Sequence, residues 1–367
     1  MAHGLFVEPF YGGSHRAFLD GLVDHSRHSL TLLTLPDGEW RRRMRRGAQE
    51  LATSAPPGDV RPDFMVASDM LDLPTYLALT RRWSAEIPVL YYLHENQLTY
   101  PRIKGTKLDS WFGAMNYLSA RAADRVAFNS GYHRDSFLGA LREMEHRPNN
   151  WLVPAAVATI EAKSVVLAPG VDLAWLDGLR PAARRPGPPR LLWNHRWEFD
   201  KSPDLFARTV RWLASGGHAF ELILAGEPGL NPSPAFAELR AALPGRVIHF
   251  GYAATREAYG RLIWDADIVV STTQHEFFGI GMVEALYAGC WPVAPRRYNY
   301  PALVAPEVHD LALWDDEPGL REQLAEALAR VAAGYTAPAV LRTAVTPFAW
   351  PSVVPAWDAA LDGLVRR

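Results

Sequence analysis

Two glutamates separated by seven residues flank a glycine turn in the stretch HEFFGIGMVEALYAGCWPV, residues 275–293. Glu276 lies in a loop after an apolar strand pattern, and Glu284 lies in the first turns of the helical pattern after the turn. Free backbone N–H groups at such a turn suit a phosphate. Carboxylates repel phosphate but bind hydroxyl groups, so the pattern predicts a diphosphate that joins two polyols. The alternative is a helix with a favourable acidic start and an unrelated surface glutamate.

A second candidate element is the stretch NHRWEFDKSP, residues 194–203, which also follows an apolar strand pattern. Arg196 and Lys201 are five residues apart, ahead of a helix with Ser202 as its expected N-cap. Arginine offers a planar fork to phosphate oxygens and lysine a mobile point charge. Together they could neutralise a diphosphate leaving group without a metal. The alternative is a solvated loop with an Arg196–Glu198 or a Lys201–Asp200 pair.

Polar residues also follow strand patterns in the first half of the chain. EPFYGGSHRAF, residues 8–18, combines a strand end, a Gly-Gly turn and a helix start, which could admit an anion or be a plain turn. YYLHENQLTYP, residues 91–101, places His94, Glu95 and Asn96 after an apolar strand. A lone histidine is more often a structural residue. Because the HExxH pattern is absent, no metal is expected.

The stretch EWRRRMRRGAQE, residues 39–50, is the most basic part of the chain, with Arg41, Arg42, Arg43, Arg45 and Arg46 within six positions. Such runs are usually solvated faces. The alternative is a patch that binds the phosphate backbone of RNA. Arg102 and Lys104 could extend that patch.

Apolar runs alternate with amphipathic stretches along the whole chain, which predicts parallel sheets with right-handed crossovers. The expected strands are 4–10, 30–35, 63–67, 88–93, 125–129, 190–196, 221–226, 247–252, 267–272 and 291–295. The expected helices are 16–25, 72–84, 110–123, 202–216, 234–243, 255–265 and 281–289. A Pro- and Arg-rich stretch at 180–190 cannot be regular structure and predicts a linker. We therefore expect two doubly wound α/β domains, with ligands at the carboxyl ends of their strands.

Composition limits the function further. The chain has 367 residues, 49% of them hydrophobic, and a net charge of −2, so no overall field draws it to nucleic acid or an anionic membrane. A single cysteine excludes an internal disulfide framework. Neither a signal-peptide pattern nor a run of about 18 apolar residues is present. We therefore expect a cytoplasmic protein without a membrane span.

The motifs quoted above, together with APGVD (168–172), HFGY (249–252) and FNSGYHRDSF (128–137), resemble a known family. Their order is similar to that of retaining GT-B glycosyltransferases of family 4, and their details resemble the tRNA-queuosine mannosyltransferases. The resemblance implies a GT-B fold, with two Rossmann-like domains facing a cleft. It implies an acceptor-side domain at 1–175, a linker at 176–190, a nucleotide-sugar domain at 191–345 and a segment crossing back at 346–367.

The resemblance also implies roles for individual residues. Arg196 and Lys201 would bind the diphosphate. Glu276 would hold the sugar hydroxyls and Glu284 the ribose, while His94 would contact the sugar near the reacting carbon. Of these, His94, Arg196, Lys201 and Glu276 are the expected catalytic residues. The further substrate-binding residues are Gly12, Gly13, His15, Glu95, Asn96, Asn129, Gly251, Tyr252, Phe278, Gly279 and Ile280. The implied substrates are GDP-mannose and a tRNA carrying queuosine, with no cofactor, metal or obligate protein partner.

Three other functions remain open at this level. A glycoside hydrolase could use Glu276 and Glu284 as its acid and nucleophile, although the adjacent Arg and Lys disfavour it. A non-catalytic RNA-binding protein could use the arginine run alone. A glycolipid mannosyltransferase would dock on a membrane through a basic, apolar helix, but residues 41–46 lack large apolar neighbours on one face.

Overall fold

The computed structural model describes residues 1–54, 61–101, 110–148, 150–183, 185–229 and 233–366. The chain divides into two compact units. Unit 1 comprises Met1–Gly170 and Trp350–Arg367, and unit 2 comprises Val171–Ala349. Residues 171–175, expected in the first domain, therefore belong to unit 2. The proposed linker also contains the end of a short helix, because the chain is already helical at Ala174–Asp177.

Unit 1 contains a parallel sheet with the strand order β2-β1-β3-β4-β5-β6. Its strands are β1 (His3–Tyr11), β2 (Ser29–Pro36), β3 (Phe64–Ser68), β4 (Val89–Leu93), β5 (Arg125–Phe128) and β6 (Ser164–Val166). Its helices are α1 (Gly13–His25), α2 (Trp40–Ala52), α3 (Leu73–Ser84), α4 (Ser110–Ala122), α5 (Gly131–Glu145), α6 (Ala156–Ala162) and α16 (Trp350–Val365). The strand order reverses between β1 and β3, which is where ligands bind in open sheets of this kind.

Unit 2 contains a second parallel sheet, with the order β12-β11-β10-β7-β8-β9. Its strands are β7 (Arg190–Trp193), β8 (Glu221–Ala225), β9 (Val247–Gly251), β10 (Ile268–Val270), β11 (Trp291–Pro295) and β12 (Leu313–Trp314). Its helices are α7 (Ala174–Asp177), α8 (Pro203–Ser215), α9 (Ala235–Ala242), α10 (Arg256–Asp265), α11 (Ile280–Tyr287), α12 (Tyr300–Leu303), α13 (His309–Ala312), α14 (Glu317–Ala332) and α15 (Ala339–Val345). Here the order reverses between β7 and β10, the switch point of a Rossmann sheet.

The core of unit 1 has two layers, one on each face of the sheet. One face packs residues such as Val7, Met65 and Tyr91 against α2 to α6. The other face packs Phe6 and Tyr92 against residues of α1 and α16. Because a parallel sheet is covered on both faces, its strands are nearly continuous apolar runs. That is why the strand patterns could be read from the sequence.

Candidate functional site

In unit 2, the loops after β7 and β10 are tied together at the switch point. The β7 loop contains a short 3-10 helix at Phe199–Lys201. Thr272 donates a hydrogen bond from Oγ1 to the carbonyl of Lys201 at 2.9 Å, and Thr273 donates one to the carbonyl of Asp200 at 3.1 Å. These side chains, which directly follow β10, fix the position of Lys201.

The Lys201 ammonium lies among three acceptors. Nζ is 3.0 Å from the carbonyl oxygen of His275, 3.2 Å from Asp200 Oδ2 and 3.5 Å from Glu276 Oε2. Burial lowers the pKa of Lys201, but the charges of Glu276 and Asp200 outweigh it and hold the pKa above its ordinary value. Lys201 is therefore a fixed cation beside Glu276. The pairing with Asp200 that we considered as an alternative is present too, so the two interpretations are not exclusive.

Arg196 lies on the same loop but points outward. Its side chain is 61% exposed, and Nη1 is 3.6 Å from Glu198 Oε1. An ion pair of this kind contributes little to stability. The structure thus brings Glu276 to Lys201, while the guanidinium of Arg196 faces solvent.

Ser202 occupies the N-cap position of α8, but its side chain does not cap the helix. Its backbone is in the left-handed region, at φ 50°. Its hydroxyl instead accepts a hydrogen bond from Gln274 Nε2 at 2.7 Å. The expected capping role is therefore wrong, because the hydroxyl joins the two site loops.

The glycine turn ends at Gly279, which is the N-cap residue of α11. Its φ of 101° and ψ of 51° are left-handed, a conformation that favours glycine. No side chain caps α11 among the residues that the structure describes. The first N–H groups of the helix, starting at Ile280, therefore form a potential anion site. The N–H of Phe278 is already directed at Glu276 Oε1, at a long 3.4 Å.

Glu284 is part of a hydrogen-bonded network rather than an unrelated surface residue. Tyr259 donates its hydroxyl to Glu284 Oε2 at 3.0 Å. Asn194 Nδ2 in turn donates to the Tyr259 oxygen and to the carbonyl of Gly281, each at 3.0 Å. Burial raises the pKa of Glu284 to about 7, with Tyr259 and Arg256 acting weakly in the opposite direction. Near neutral pH this carboxyl group can both donate and accept hydrogen bonds to hydroxyl groups.

Gly251 and Tyr252 lie further along the same sheet edge. Gly251 ends β9, which is separated from β7 by β8. Its carbonyl accepts hydrogen bonds from Gly226 N at 3.0 Å and from His249 Nε2 at 2.9 Å. Tyr252 follows with 73% of its surface exposed. The structure therefore does not bring Tyr252 next to Glu276, and its expected contact with a nucleotide base remains a prediction.

In unit 1, a charged cluster lies at the switch point between β1 and β3. His15 Nδ1 is 3.0 Å from Glu8 Oε2, and Glu8 Oε1 accepts from Phe10 N at 2.8 Å. The rings of His15 and His94 are 4.1 Å apart between centroids. The backbone N–H of His94 donates to Asp69 Oδ1 at 2.8 Å. The strand-end residues thus meet in one place.

The two histidines of this cluster have opposite charge preferences. Burial lowers the pKa of His15, but Glu8 outweighs it and raises the pKa to about 9. The pKa of His94 lies well below its usual value because of burial and the charge of His15. Burial raises the pKa of Asp69 to about 8. At neutral pH, a protonated His15 paired with Glu8 therefore lies against a neutral His94.

His94 Nε2 is buried and has no hydrogen-bond partner within the described ranges. It is thus the polar atom of this cluster that could meet a ligand. Glu8, His15 and His94 also present donor atoms within 4.8 Å of one another, which a metal ion could use. Metal ligation requires neutral imidazole, and the Glu8 carboxylate instead keeps His15 protonated. Without a metal, His15 and Glu8 form an ion pair, and the expectation that no metal binds stays a prediction.

The neighbouring residues that we expected to bind substrate make internal contacts. Asn96 Oδ1 accepts from the two backbone N–H groups that follow Gln97, each at 3.0 Å. Asn129 Nδ2 donates to the carbonyl of His94 at 2.7 Å, and Asn129 Oδ1 is 2.9 Å from His133 Nδ1. Glu95 accepts from Gln97 at 2.9 Å. In this structure Asn96 and Asn129 shape the loop that carries His94.

The Gly-Gly turn and the arginine run lie in the same unit. Gly12 is the N-cap of α1, and a Cβ atom there would overlap the side chain of Asp37. Gly13 adopts a left-handed φ of 52°. The arginine run forms the first turns of α2, and Arg43 pairs with Glu50 at 3.3 Å. Arg102 and Lys104 lie outside the described residues.

Several residues of these clusters were missed in the sequence. Asn194 and Asp69 directly follow strands, so their positions alone could have indicated them. Glu8 is a charged residue inside an apolar strand, which is also a signal. Tyr259, in the middle of α10, has no such mark, and its role depends on tertiary packing. None of the helices within the described ranges combines the length and apolar character that crossing a bilayer would need.

Comparisons with known proteins agree with this arrangement. Residues 3–171 match the family model described as tRNA-queuosine alpha-mannosyltransferase N-terminal, and residues 180–343 match glycosyl transferases group 1. A tRNA-queuosine alpha-mannosyltransferase of Drosophila melanogaster is 31% identical over 313 residues, which cover 83% of this chain and 82% of the fly protein. A GDP-mannose-dependent alpha-(1-6)-phosphatidylinositol dimannoside mannosyltransferase of Mycobacterium tuberculosis is 26% identical, over 65% of this chain and 58% of that protein.

Solved structures with the same fold share little sequence. Sucrose-phosphate synthase from Thermosynechococcus elongatus has a TM-score of 0.70 at 14% identity, covering 99% of both chains. A UDP-forming trehalose-phosphate synthase from Burkholderia xenovorans has a TM-score of 0.66 at 12% identity, covering 100% of both. These likenesses confirm the expected GT-B fold of two Rossmann-like units. By its sequence relationship to the fly protein and by its fold, the chain belongs to the tRNA-queuosine alpha-mannosyltransferase family and is a hexosyltransferase.

Proposed function

We propose that the protein transfers mannose from GDP-mannose to queuosine in the anticodon loop of a tRNA, with retention of the anomeric configuration. The observation that carries the proposal is the cluster at the β7–β10 switch point. There a fixed lysine, an uncapped helix N-terminus and two carboxyl groups lie on adjacent loops. This set matches the parts of a nucleotide sugar, which is an anion with a hydroxylated ring on each side.

The donor would bind with its diphosphate at Lys201 and the N–H groups that begin α11. Arg196 could add its guanidinium from the loop surface. Glu276, held beside Lys201, would accept hydrogen bonds from the sugar hydroxyls. Glu284 would take the ribose hydroxyls, and its pKa of about 7 lets it act as donor or acceptor.

The reaction would break the bond between the anomeric carbon and the diphosphate oxygen. The transition state separates a sugar cation from a departing diphosphate, and preorganised positive charge lowers its energy. Lys201 supplies such charge because Glu276 and Asp200 keep it protonated. The acceptor oxygen forms the new bond on the same face. Its proton passes to the departing phosphate, so the products are GDP and a mannoside, and no protein nucleophile is needed.

The acceptor side would be unit 1. The family model named for tRNA-queuosine alpha-mannosyltransferase matches this unit, residues 3–171. Its switch point presents a neutral, buried His94 whose Nε2 could accept a hydroxyl proton in a hydrogen bond. A base in an anticodon loop is reachable because it is single-stranded and can be turned out. With a tRNA as acceptor, we expect the protein in the cytoplasm.

The test is transfer from a panel of nucleotide sugars to tRNA that carries queuosine, with tRNA lacking queuosine as the control. Nucleosides from the digested tRNA are then weighed by mass spectrometry. We expect one added hexose, from GDP-mannose, on queuosine alone. Transfer to a phosphoinositide instead, or release of free sugar from simple glycosides without any nucleotide, would refute the proposal. Arg196→Ala should lose turnover by orders of magnitude while its unfolding temperature is unchanged, because the side chain is exposed.

A further inference from the structure

The arginine run lies at the ligand-binding edge of unit 1. Helix α2 begins at Trp40, four residues after β2 ends at Pro36. In a parallel sheet, a helix that follows a strand starts at the carboxyl edge, where ligands bind. The connecting loop also packs on the Gly-Gly turn, since Asp37 lies against Gly12. The arginines are therefore beside the turn that we assign to substrate binding.

Helix α2 turns most of these arginines to solvent. Its apolar residues Met44, Ala48 and Leu51 are buried within unit 1. The side chains that are exposed are those of Arg41, Arg42, Arg45 and Arg46. These arginines form two sequential pairs, 41–42 and 45–46, and members of different pairs are three to five residues apart. Residues at this spacing are neighbours on a helix, so the four side chains form one cationic surface over its first turns.

This placement of charge is electrostatically unfavourable for the free protein. Cations near a helix N-terminus oppose the helix dipole, and like charges four residues apart repel. The nearby carboxylate of Glu39 accepts from the backbone N–H groups of Arg41 and Arg42, at 3.2 and 2.9 Å. Within the described ranges, Arg41, Arg42 and Arg46 form no ion pair. An anionic partner would remove this repulsion.

Aromatic rings lie among the guanidinium groups. The guanidinium carbon of Arg41 is 4.5 Å from the ring centroid of Trp40, and that of Arg45 is 5.0 Å from Phe112. Phe112 is buried in a small core cluster, and the partly buried Trp40 packs on it at 5.2 Å. Trp111, 41% exposed and 5.3 Å from Phe112, is the accessible ring of this group. Alternating cations and aromatic faces are the features that hold single-stranded nucleic acid, by phosphate pairing and base stacking.

We propose that the exposed face of α2, with Trp40 and Trp111, is a docking surface for a single-stranded RNA loop. In detail, Arg41, Arg42 and Arg46 pair with phosphates, and the exposed ring of Trp111 stacks on an unpaired base. The assignment of that loop to a tRNA rests on the proposed function. A membrane is disfavoured as the partner because the large apolar residues of α2 face the interior of unit 1, whereas a bilayer-bound helix needs them outside.

The experiment compares two double variants that each remove two positive charges. Arg41→Ala/Arg42→Ala changes the proposed surface. The matched control is Arg81→Ala/Arg82→Ala, whose side chains are exposed in the last turn of α3, at the opposite edge of the sheet. Binding of fluorescently labelled tRNA is measured by anisotropy over a salt series. Thermal unfolding followed by circular dichroism checks that both variants are folded.

We expect the α2 variant to bind tRNA roughly ten- to a hundredfold more weakly near 0.15 M salt. The slope of log affinity against log salt should fall by about 1.4, for two lost contacts at about 0.7 each. The control should match the parent. The proposal would be overturned if tRNA binding were weakened equally in both variants, or unchanged in both. It would also be overturned if the α2 variant lost binding to anionic phospholipid vesicles but kept its binding to tRNA.

The outcomes also separate this surface from the proposed function. If tRNA binds through α2 but mannose is not transferred, the proposed function is wrong and the surface stands. If mannose is transferred and the KM for tRNA is unchanged in the α2 variant, the surface is wrong and the function stands.

Discussion

Replacing Glu284 with glutamine should make the protein more stable in alkaline solution and weaker in donor binding. Burial raises the pKa of this carboxyl group from 4.5 to about 7. A raised pKa favours the folded state fully below about pH 4.5, and that contribution is lost as the pH rises through about 7. At 1.36 kcal/mol per unit, the parent loses about 3 kcal/mol between these limits. The amide of Glu284→Gln does not titrate, and it still accepts the hydrogen bond from Tyr259.

The assay is urea unfolding of parent and variant at pH 4.5 and pH 8.5, because the difference between the two proteins isolates this one group. We expect the variant to gain about 3 kcal/mol on the parent over this range. The affinity for GDP-mannose at pH 8.5 should fall by roughly tenfold or more, since a hydrogen bond to a charged group is worth about 1.5–3 kcal/mol. Glu257→Gln, at an exposed position of α10, is the control. A stability difference that stays constant with pH would refute this reasoning.

Three further changes test the other parts of the two sites. Burial alone would lower the pKa of His15, whereas Glu8 raises it to about 9. The stabilisation by this ion pair is complete below about pH 6.5 and is lost as the pH rises through about 9. Glu8→Gln should therefore lower the free energy of unfolding by about 3 kcal/mol at pH 6. It should also bring the pKa of His15, measured by NMR, below about 7, and an unchanged titration would contradict the ion pair. Gly279→Ala should cost about 1–3 kcal/mol by calorimetry because φ is 101°, and an unchanged melting temperature would argue against the left-handed turn. Lys201→Met should lower the free energy of unfolding by about 3–5 kcal/mol, because it leaves the Asp200 carboxylate buried and unpaired. The double variant with Asp200→Asn should regain stability but not turnover. Recovered turnover in the double variant would exclude a catalytic role for Lys201.

Ten of the twelve strands within the described residues were readable from the sequence because both sheets are covered on two faces. Val89–Leu93 and Trp291–Pro295, for example, are wholly buried runs. The edge strands β6 and β12 were missed because they have only three and two residues. Helix α2 was harder to recognise, since only Met44, Ala48 and Leu51 give it an apolar side and the arginines dominate its composition. Strand order was not readable, because it depends on which crossover packs on which face.

The site was predictable where residues lie in the loops that follow strands. Glu276 and Lys201 were identified on that basis, and the structure places them 3.5 Å apart. The network around Glu284 was not predictable, because Tyr259 reaches it from another helix. The position of Asn129 after a strand was identified correctly, but its contacts were not. Both the oxygen and the nitrogen of its side-chain amide form hydrogen bonds within unit 1. Position relative to a strand can be read from sequence, whereas hydrogen-bond partners require the packed structure.

The return of α16 to unit 1 affects how the chain can fold during synthesis. Trp350, Trp357 and Leu361 of this helix fill one layer of the unit 1 core, and Trp357 donates from Nε1 to the carbonyl of Ala168 at 2.9 Å. Those residues leave the ribosome only after the whole of unit 2. Unit 1 therefore cannot complete its core, and Phe18 and Tyr92 stay uncovered, until unit 2 has been synthesised. During that interval the nascent chain exposes an apolar aromatic surface of the kind that chaperones bind.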